Sequence, residues 1–463
     1  MKQKTFFVFL LSAVLLAMLI ACSRGVAIDT EENDSDIGEE YLLVSDDDND
    51  GETSLPAPSP DDVFASGLTR SEYLEDLDYL YELLTANFPH FAAMYRTRGV
   101  DLHQSLRELR RVIEDEPASS ARVGNPNLFR YMLQHYIFRP ANHFGHFRML
   151  DESEVRGRLA HDLSVEAEWS GILAPFVEVM NNAATREFYG LTDANFEPRE
   201  RVDAGQGRQG LEIVTRSGNV ETRILEDGRI AYVRIRQMSA SALERDYLEL
   251  IEFYRQIASY EHLIIDIRGN PGGTSSYFPR LVMAPNISET LHYRQYFFIM
   301  AGEHNMRFLT PWIELGYMDL SPVTDRLFDD LPYFCRLSRE LLDYYMRIDG
   351  VVEPSRESAI FSGKIWLLID GNNFSASGQA AEMVKQTGFA TLVGEQTDHS
   401  GGGMTPTILA LPNSGIVVQY QTIYGTNSLG QNTYEFGTLP HIANFEGMDA
   451  LRTTLALIES EGM

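Results

Sequence analysis

The segment KIWLLIDGNNFSASGQAAEMVKQTGFATLVGE, residues 364 to 395, predicts a strand, a turn, a helix and a second strand. KIWLLIDG is a short apolar run, the turn is rich in Gly and Asn, and the helix begins near Ser375. HLIIDIRG at 262–269 repeats this plan, because it ends in a Gly-Asn-Pro-Gly-Gly turn. Repeated strand-turn-helix units predict an α/β fold, in which reactive groups gather where strands end and helices begin.

The chain before this region has a helical pattern. Apolar residues recur at helical spacing between Arg70 and Glu116, and they are Tyr73, Leu74, Leu77, Leu80, Leu83, Leu84, Leu102, Leu106, Leu109, Val112 and Ile113. From Leu211 onward the predicted elements are RIAYVRIR (229–236), the amphipathic stretch 243–257, TPTILALP (405–412) and GIVVQYQTIYG (415–425). We expect a helical N-terminal domain at 67–205, joined by a polar connection at about 181–209 to an α/β domain at 206–463.

The N-terminus predicts export and a lipid anchor. Two lysines precede an apolar run from Phe6 to Ile20, which is too short to span a bilayer. Leu-Ile-Ala-Cys at 19–22 resembles the lipobox of bacterial lipoproteins, which implies removal of the signal peptide 1–21 and lipidation of Cys22. We expect an exported cell-envelope lipoprotein held to the membrane through Cys22. The alternative is an ordinary signal peptide with an incidental cysteine. The one other cysteine is Cys335, so a lipidated Cys22 leaves no intrachain disulfide.

The net charge of -29 comes largely from one segment. Between Asp29 and Asp62 there are 14 acidic residues and no Lys or Arg. Low hydrophobicity, like charges and prolines prevent a packed core, so residues 22–66 are expected to form an acidic, disordered tether. DDDNDGE within it could bind calcium, but it lacks the spaced ligands of a calcium loop. The acidic chain predicts no nucleic-acid partner.

Two turns contain candidate reactive groups. Ser375 and Ser377 start the helix and point to nearly opposite sides, so at most one of them can face a shared site. Either could be a helix N-cap, or one could be a nucleophile. The glycines of RGNPGGTSS (268–276) could present N–H donors to a developing oxyanion, although such a turn is more often only a turn.

Five blocks together resemble the tail-specific, or C-terminal processing, serine peptidase family. The blocks are LIIDIRGNPGG (263–273), LLIDGNNFSA (367–376), GFATLVGEQT (388–397), LPNSG (411–415) and YEFGTLPHI (434–442). The family includes the tricorn core protease and the domains of interphotoreceptor retinoid-binding protein. The resemblance implies a crotonase-like core of ββα units, no cofactor, and hydrolysis of peptide bonds through an acyl-enzyme. It also implies a peptide or unfolded protein as substrate.

The resemblance assigns the nucleophile and the oxyanion turn. With the alignment anchored on Gly394-Glu395, Ser375 takes the place of the family's nucleophile. Gly272 and Gly273 match the glycines of the oxyanion-side turn. The chain departs from the family at Gly378, where many members have Glu.

The general base implied by the resemblance is a histidine. TDHSGGG (397–403) has no lysine where one branch of the family places its base, and Lys385 is about 15 Å along the helix from Ser375. The tricorn-like branch uses a histidine from an earlier domain, and ANHFGHFRML (141–150) resembles that segment. His146 is therefore the expected base. His143 and His399 are the rival bases.

The orienting acid implied by the same branch is Glu435, acting within a polar network, either directly or through another side chain. His441 stands where the family usually has Asp. His143 and His146 could instead be a zinc pair, but no third ligand follows at a convincing spacing, so no metal is expected.

Two other functions are compatible with these residues. A catalytically inactive, peptide- or ligand-binding relative would explain Gly378, the missing lysine and the altered His441. An acyl-CoA enzyme of the crotonase type would share the core, but export would separate it from its cytosolic cofactor. Residues 151–210 show no carboxylate-binding loop of a PDZ domain, so we expect the peptide to lie alongside a strand next to the active site.

Overall fold

The computed structural model describes residues 68–115, 126–164, 167–197, 218–335, 339, 341–398 and 403–461. These residues belong to one compact unit, Pro58–Met463. The predicted signal peptide, the tether, Cys22 and His399 lie outside the described residues.

Thirteen α-helices are labelled in chain order within the described ranges. They are α1 (Arg70–Asn87), α2 (Phe91–Arg98), α3 (Leu102–Asp115), α4 (Pro126–Leu133), α5 (Arg139–Ala141), α6 (Glu152–Asp162), α7 (Ala167–Met180), α8 (Ala183–Phe188), α9 (Leu243–Gln256), α10 (Glu303–Glu314), α11 (Ala376–Thr387), α12 (Thr433–Phe436) and α13 (Ala450–Glu461). Short segments of π-helix occupy Gln134–Phe138 and Pro279–Met283. Tight turns of 3₁₀ helix occupy Phe144–His146, Asp193–Asn195, Ala240–Ala242, Ala284–Asn286 and Asp325–Asp329.

The strands of the same ranges form three sheets. They are β1 (Arg148–Met149), β2 (Val220–Glu226), β3 (Ile230–Ile235), β4 (His262–Asp266), β5 (Leu291–Ile299), β6 (Ser321–Pro322), β7 (Tyr344–Val352), β8 (Lys364–Ile369), β9 (Thr391–Gly394), β10 (Thr407–Ala410), β11 (Val417–Tyr420), β12 (Ile423–Thr426) and β13 (Ile442–Ala443).

The largest sheet has the order β13-β9-β8-β4-β3-β2. All its pairings are parallel except that of β2, which runs antiparallel to β3 at the edge. Its central strands are apolar on both faces, as expected for a parallel sheet covered by helices on each side. On β8, Leu367 packs into the core that contains α9 and α11, while Trp366 and Leu368 pack into the core that contains α13. The mixed α/β fold with a helical N-terminal region is confirmed.

A second sheet has the order β12-β5-β7-β6. Its main pair is antiparallel, with Gln295 opposite Ile348 and Phe297 opposite Met346. The sequence-based prediction had assigned one strand to 415–425, and this was wrong. The segment forms β11 and β12, which belong to different sheets because the chain changes direction at Gln421-Thr422.

The third sheet, β1-β11-β10, joins the N-terminal region to the C-terminal part of the chain. Arg148 of β1 pairs with Gln419 of β11. Residues of α1, including Leu80 and Leu84, share one apolar core with Leu409 and Tyr420. The N-terminal helices and the last strands therefore stabilise each other by burying a common apolar surface.

A buried carboxylate also fastens α1 to the C-terminal part of the chain. Asp76 is fully buried and accepts hydrogen bonds from the backbone N–H groups of Asn413 (2.7 Å) and Ser414 (2.8 Å). Burial raises the pKa of Asp76 above its ordinary value. The LPNSG block thus has a structural partner in α1. Among the described residues, every helix is too short or too polar to cross a bilayer.

Candidate active site

Ser375 lies at the turn between β8 and α11. It is the residue immediately before the first turn of α11, with φ of 55° and ψ of -122°. A non-glycine residue with positive φ is strained, and such strain persists where the surrounding structure imposes it. The half-exposed Ser375 side chain lines a cavity. A serine on a sharp strand-to-helix turn is typical of an exposed nucleophile.

The turn after β4 holds Ser375 in this conformation. A Cβ on Gly272 would lie 2.4 Å from the carbonyl oxygen of Phe374 and 2.9 Å from the Cβ of Ser375. The two turns are also joined by a hydrogen bond from Phe374 N–H to the carbonyl oxygen of Asn270 at 3.2 Å. Gly272 is therefore required because any side chain there would displace the serine.

Ser377 has a structural environment instead. Its side chain is fully buried. Its hydroxyl donates to the carbonyl oxygen of Asn270 at 2.6 Å, with the Phe374 carbonyl oxygen at 3.0 Å. Ser377 thus ties the two turns together and does not line the cavity.

The N-terminal region contributes His146 to the same cavity. His146 closes the tight turn Phe144–His146, is separated from β1 by Phe147, and has φ of 55°. Gln421 N–H donates to the carbonyl oxygen of Gly145 at 2.7 Å, just after β11. The β1-β11 pairing and this bond therefore fix the backbone of His146 beside the α/β part of the chain.

The imidazole of His146 lies against Phe374, with 4.7 Å between ring centroids. Burial, and then the positive charge of Arg148, lower the pKa of His146 from 6.5 to about 3. The imidazole is therefore neutral near pH 7, which is the form that accepts a proton. Its Nδ1 is buried and has no hydrogen-bond partner among the described residues.

Glu435 is buried and does not line the cavity that contains His146. Its carboxylate pairs with Arg96 of α2, whose Nε lies 3.2 Å from Oε2, and the Tyr424 hydroxyl lies 3.4 Å from Oε1. The Glu435 N–H donates to the Asn432 side chain that caps α12. Within the described ranges no hydrogen bond joins Glu435 to His146. Tyr434 is the neighbour that lies between these positions, with its ring 6.3 Å from the His146 ring.

The other candidate bases occupy different places. His143 is exposed and does not line the cavity. His399 lies outside the described residues. Lys385 donates through Nζ to the carbonyl oxygen of Leu439 at 2.7 Å, away from the cavity. In the part of the chain that the structure describes, no group of three His, Cys, Asp or Glu side chains could hold a metal ion.

Two backbone N–H groups near Ser375 have no acceptor among the described residues. Over the described part of the chain, the amides of Gly273 and Ala376 have no backbone or side-chain acceptor, whereas the Gly272 N–H donates to Oδ1 of Asn270 at 2.8 Å. Gly273 and Ala376 both line the cavity. Paired amides next to a nucleophile can stabilise an oxyanion. Gly272 approaches Ser375 closely and its N–H is already bonded, whereas the Gly273 N–H has no acceptor among the described residues.

Sequence reasoning missed three of these neighbours. These neighbours are Phe374, Ala376 and Arg96. Ala376 could have been identified, because the amide that follows a nucleophilic serine is a common oxyanion donor. Arg96 had no such signal, since its pairing with Glu435 depends on how α2 packs against α12.

The cavity that contains Ser375 and His146 has a volume of about 600 Å³. Its remaining walls come from the β5-β7 pair, α10, α11 and the segment after residue 402. This volume lies in the range of ligand-binding clefts.

Comparisons with known proteins bear on the family and the fold of this chain. Residues 229–444 match the family model described as "Peptidase family S41". A candidate peptidase from Parabacteroides merdae ATCC 43184 has 16% identity and a TM-score of 0.50 over 84% of this chain and 97% of its own. Mature CPAF has 15% identity and a TM-score of 0.50 over 84% and 96%. CPAF in complex with lactacystin has 15% identity and a TM-score of 0.51 over 84% and 97%. These identities are low, so the two proteins support the fold alone. No curated protein matches this chain.

Proposed function

Because this chain belongs to peptidase family S41 through residues 229–444, we propose that Ser375 is its nucleophile and His146 its general base. The protein is a serine-type peptidase, and its substrate is a peptide or protein. The observation that carries the proposal is that Ser375 and His146 line one cavity, although they come from opposite parts of the chain. A nucleophile beside a neutral imidazole is the arrangement that acyl transfer needs.

The proposed reaction has two halves. The Ser375 Oγ attacks the carbonyl carbon of the scissile peptide while His146 takes the hydroxyl proton. The carbon–nitrogen bond then breaks, and His146 returns that proton to the leaving amine. This leaves an ester on Ser375, which water hydrolyses after giving a proton to His146. The acid product leaves, and the proton returns to Ser375.

The oxyanion of each tetrahedral intermediate would be held by the N–H groups of Gly273 and Ala376. Removing one such donor typically costs about 100- to 1000-fold in rate. Gly272 supports this arrangement because it lets the two turns approach closely. The α/β core that carries both turns would be crotonase-like, with ββα units.

Glu435 would act as a positioning residue for His146 through Arg96 and Tyr434. The Arg96–Glu435 pair fixes α12, which carries Tyr434 next to His146. Glu435 would thus restrict the imidazole without touching it. The inactive-relative alternative predicts that Ser375 has no heightened reactivity.

We also propose that the peptidase acts at the cell envelope, with residues 1–21 removed and a lipid on Cys22. The proposal is supported by the short apolar run and by the Leu-Ile-Ala-Cys block. Metabolic labelling with a palmitate analogue tests it. Label should enter the wild type and be absent from Cys22→Ala, with Cys335→Ala as the matched control. Equal labelling of Cys22→Ala would overturn it.

A fluorophosphonate probe tests the nucleophile. The wild type and Ser276→Ala should be labelled, because Ser276 is exposed and does not line the cavity. Ser377→Ala should also be labelled, although with lower stability, because its hydroxyl only ties the turns together. Ser375→Ala should not be labelled. An unlabelled but folded wild type would favour the inactive relative.

A further inference from the structure

One wall of the cavity is a single face of the β5-β7 pair. Tyr293, Gln295 and Phe297 alternate along β5, so their side chains point to the same face. Ile348 and Met346 of β7 stand opposite Gln295 and Phe297 on that face. All five side chains line the cavity. The ring of Tyr293 lies over Gly350, its partner on β7, where an added Cβ would be 2.1 Å from that ring.

The cavity combines an aromatic character with a lack of charge. Trp312 and Tyr317, whose ring centroids are 6.2 Å apart, and Met404 complete the apolar part of the wall. None of the described residues that line the cavity is Asp, Glu, Lys or Arg. Aromatic and methionine side chains favour contact with another ring, and an uncharged site leaves a charged side chain without a partner.

Gln295 is the polar exception on the β5-β7 face. Its side chain is 1% exposed, and its Oε1 accepts a hydrogen bond from Nε2 of Gln379 at 3.1 Å. The Nε2 of Gln295 is buried and has no partner among the described residues. Buried donors are nearly always paired, so this unpaired amide needs an explanation.

Gln379 connects this amide to the nucleophile. The Gln379 N–H donates to the carbonyl oxygen of Ser375 at 3.0 Å, one helical turn along α11. One turn is about 5.4 Å long. A side chain attached next to the carbonyl carbon under attack can therefore extend from Ser375 past Gln379 toward Gln295.

We propose that this pocket receives the side chain that precedes the scissile bond, and that it selects tyrosine. The aromatic wall contacts the ring, and Gln295 Nε2 donates to the phenol oxygen. Substrate binding would then supply the missing hydrogen-bond partner. This inference rests on the proposed peptidase function of the same cavity.

Fluorogenic peptide amides with different residues before the scissile bond test the selection. The probes carry Tyr, Phe, 4-methylphenylalanine, Glu or Lys at that position. Wild-type kcat/KM should be about tenfold higher for Tyr than for Phe, because only Tyr satisfies the buried donor. 4-Methylphenylalanine has nearly the shape of Tyr but no acceptor, so it should not exceed Phe. Glu and Lys should be about 100-fold poorer than Phe.

Variants test whether the side-chain amide of Gln295 produces the preference for Tyr over Phe. Gln295→Leu should lose the preference for Tyr over Phe while still cleaving after Phe. Gln386→Leu is the matched control, because Gln386 is a glutamine of α11 that contacts β5 through the Arg294 N–H and does not line the cavity. It should keep the preference. Equal rates for Tyr and Phe in the wild type, or a preference that survives in Gln295→Leu, would overturn the selection.

Binding separates failure of this inference from failure of the proposed function. If fluorophosphonate labelling and hydrolysis are both absent, the peptidase proposal fails. The same peptides can still be titrated into Ser375→Ala by calorimetry, where the Tyr peptide should bind about tenfold more tightly than the Phe peptide. Equal binding would overturn the selection of tyrosine in either case.

Discussion

The imidazole of His146 packs on the ring of Phe374, and the next residue in the chain is Ser375. This contact brings the N-terminal region and the α/β region together at one cavity. The Phe374 ring also contributes to the burial that lowers the pKa of His146 to about 3. The same contact thus affects both the position and the protonation of the proposed base.

The lowered pKa of His146 predicts activity that persists in mild acid. An imidazole with a pKa of 6.5 would lose about tenfold in kcat/KM between pH 7.5 and 5.5, because the neutral base becomes protonated. With a pKa of about 3, kcat/KM at pH 5.5 should remain within about twofold of its value at pH 7.5. Initial rates at constant ionic strength measure this. A tenfold acidic loss by a protein that is still folded would contradict it.

The close approach of Gly272 predicts that Gly272→Ala is severely impaired. Its new Cβ would lie 2.4 Å from the Phe374 carbonyl oxygen, so the turn that holds Ser375 must move. A shift of about 1 Å can cost about 100-fold in kcat/KM. Gly269→Ala is the matched control, since it also has positive φ but no atom within 4 Å of the added Cβ. Equal activity of the two variants would show that the close approach is unimportant.

His90 predicts a loss of stability in acid. It is fully buried, its Nε2 lies 3.0 Å from the carbonyl oxygen of Ile423, and burial lowers its pKa to about 3. Below about pH 6.5 the His90 imidazole binds a proton in the unfolded chain but stays neutral in the folded chain. The free energy of unfolding therefore falls as the pH falls toward 3. His90 alone contributes a slope of about 1.4 kcal/mol per pH unit within that window.

Urea unfolding at several pH values between 7 and 5 measures this slope. The slope of the free energy of unfolding against pH should be lower in His90→Phe by about the contribution of one proton, even though this variant is less stable at every pH. An unchanged slope would mean that His90 does not remain neutral in the folded protein.

The Arg96–Glu435 pair predicts energetic coupling between α2 and α12. Neutralising either side chain leaves a partly or fully buried charge without its partner, whereas neutralising both does not. Unfolding of Arg96→Met, Glu435→Gln and the double variant should give a coupling energy of about 1 to 3 kcal/mol.

Fluorophosphonate labelling of the same variants tests the positioning role. If Glu435 acts through Arg96, the two single variants should slow labelling of Ser375 by similar factors, and the double variant should add little. Slow labelling in Glu435→Gln alone would instead indicate direct contact with the imidazole.

The sequence predicted the α/β part of the fold well because its signals are local. Apolar runs that end in Gly-rich turns identified β4 and β8, and helical spacing identified α1 and α3. The β5-β7 pair was missed. The β5 sequence begins with alternating polar residues and ends with an apolar run, a mixture that matches neither simple strand pattern.

The residues of the candidate site could be predicted from the sequence only where they lie in a recognisable motif. Ser375, Gly272 and His146 lie in recognisable blocks, and the structure brings all three to one place. The partners of Glu435 and the unpaired amide of Gln295 depend on the packing of distant elements, which residue spacing does not encode. LPNSG resembled a family block, whereas its observed contact is with Asp76 of α1.

The central claim is that His146 activates Ser375, and the rate of fluorophosphonate labelling tests it most directly. His146→Ala should label Ser375 at least about 100-fold more slowly than the wild type, as expected when a general base is lost. His143→Ala should label at the wild-type rate, because His143 is exposed outside the cavity. Undiminished labelling of a folded His146→Ala protein would contradict the account.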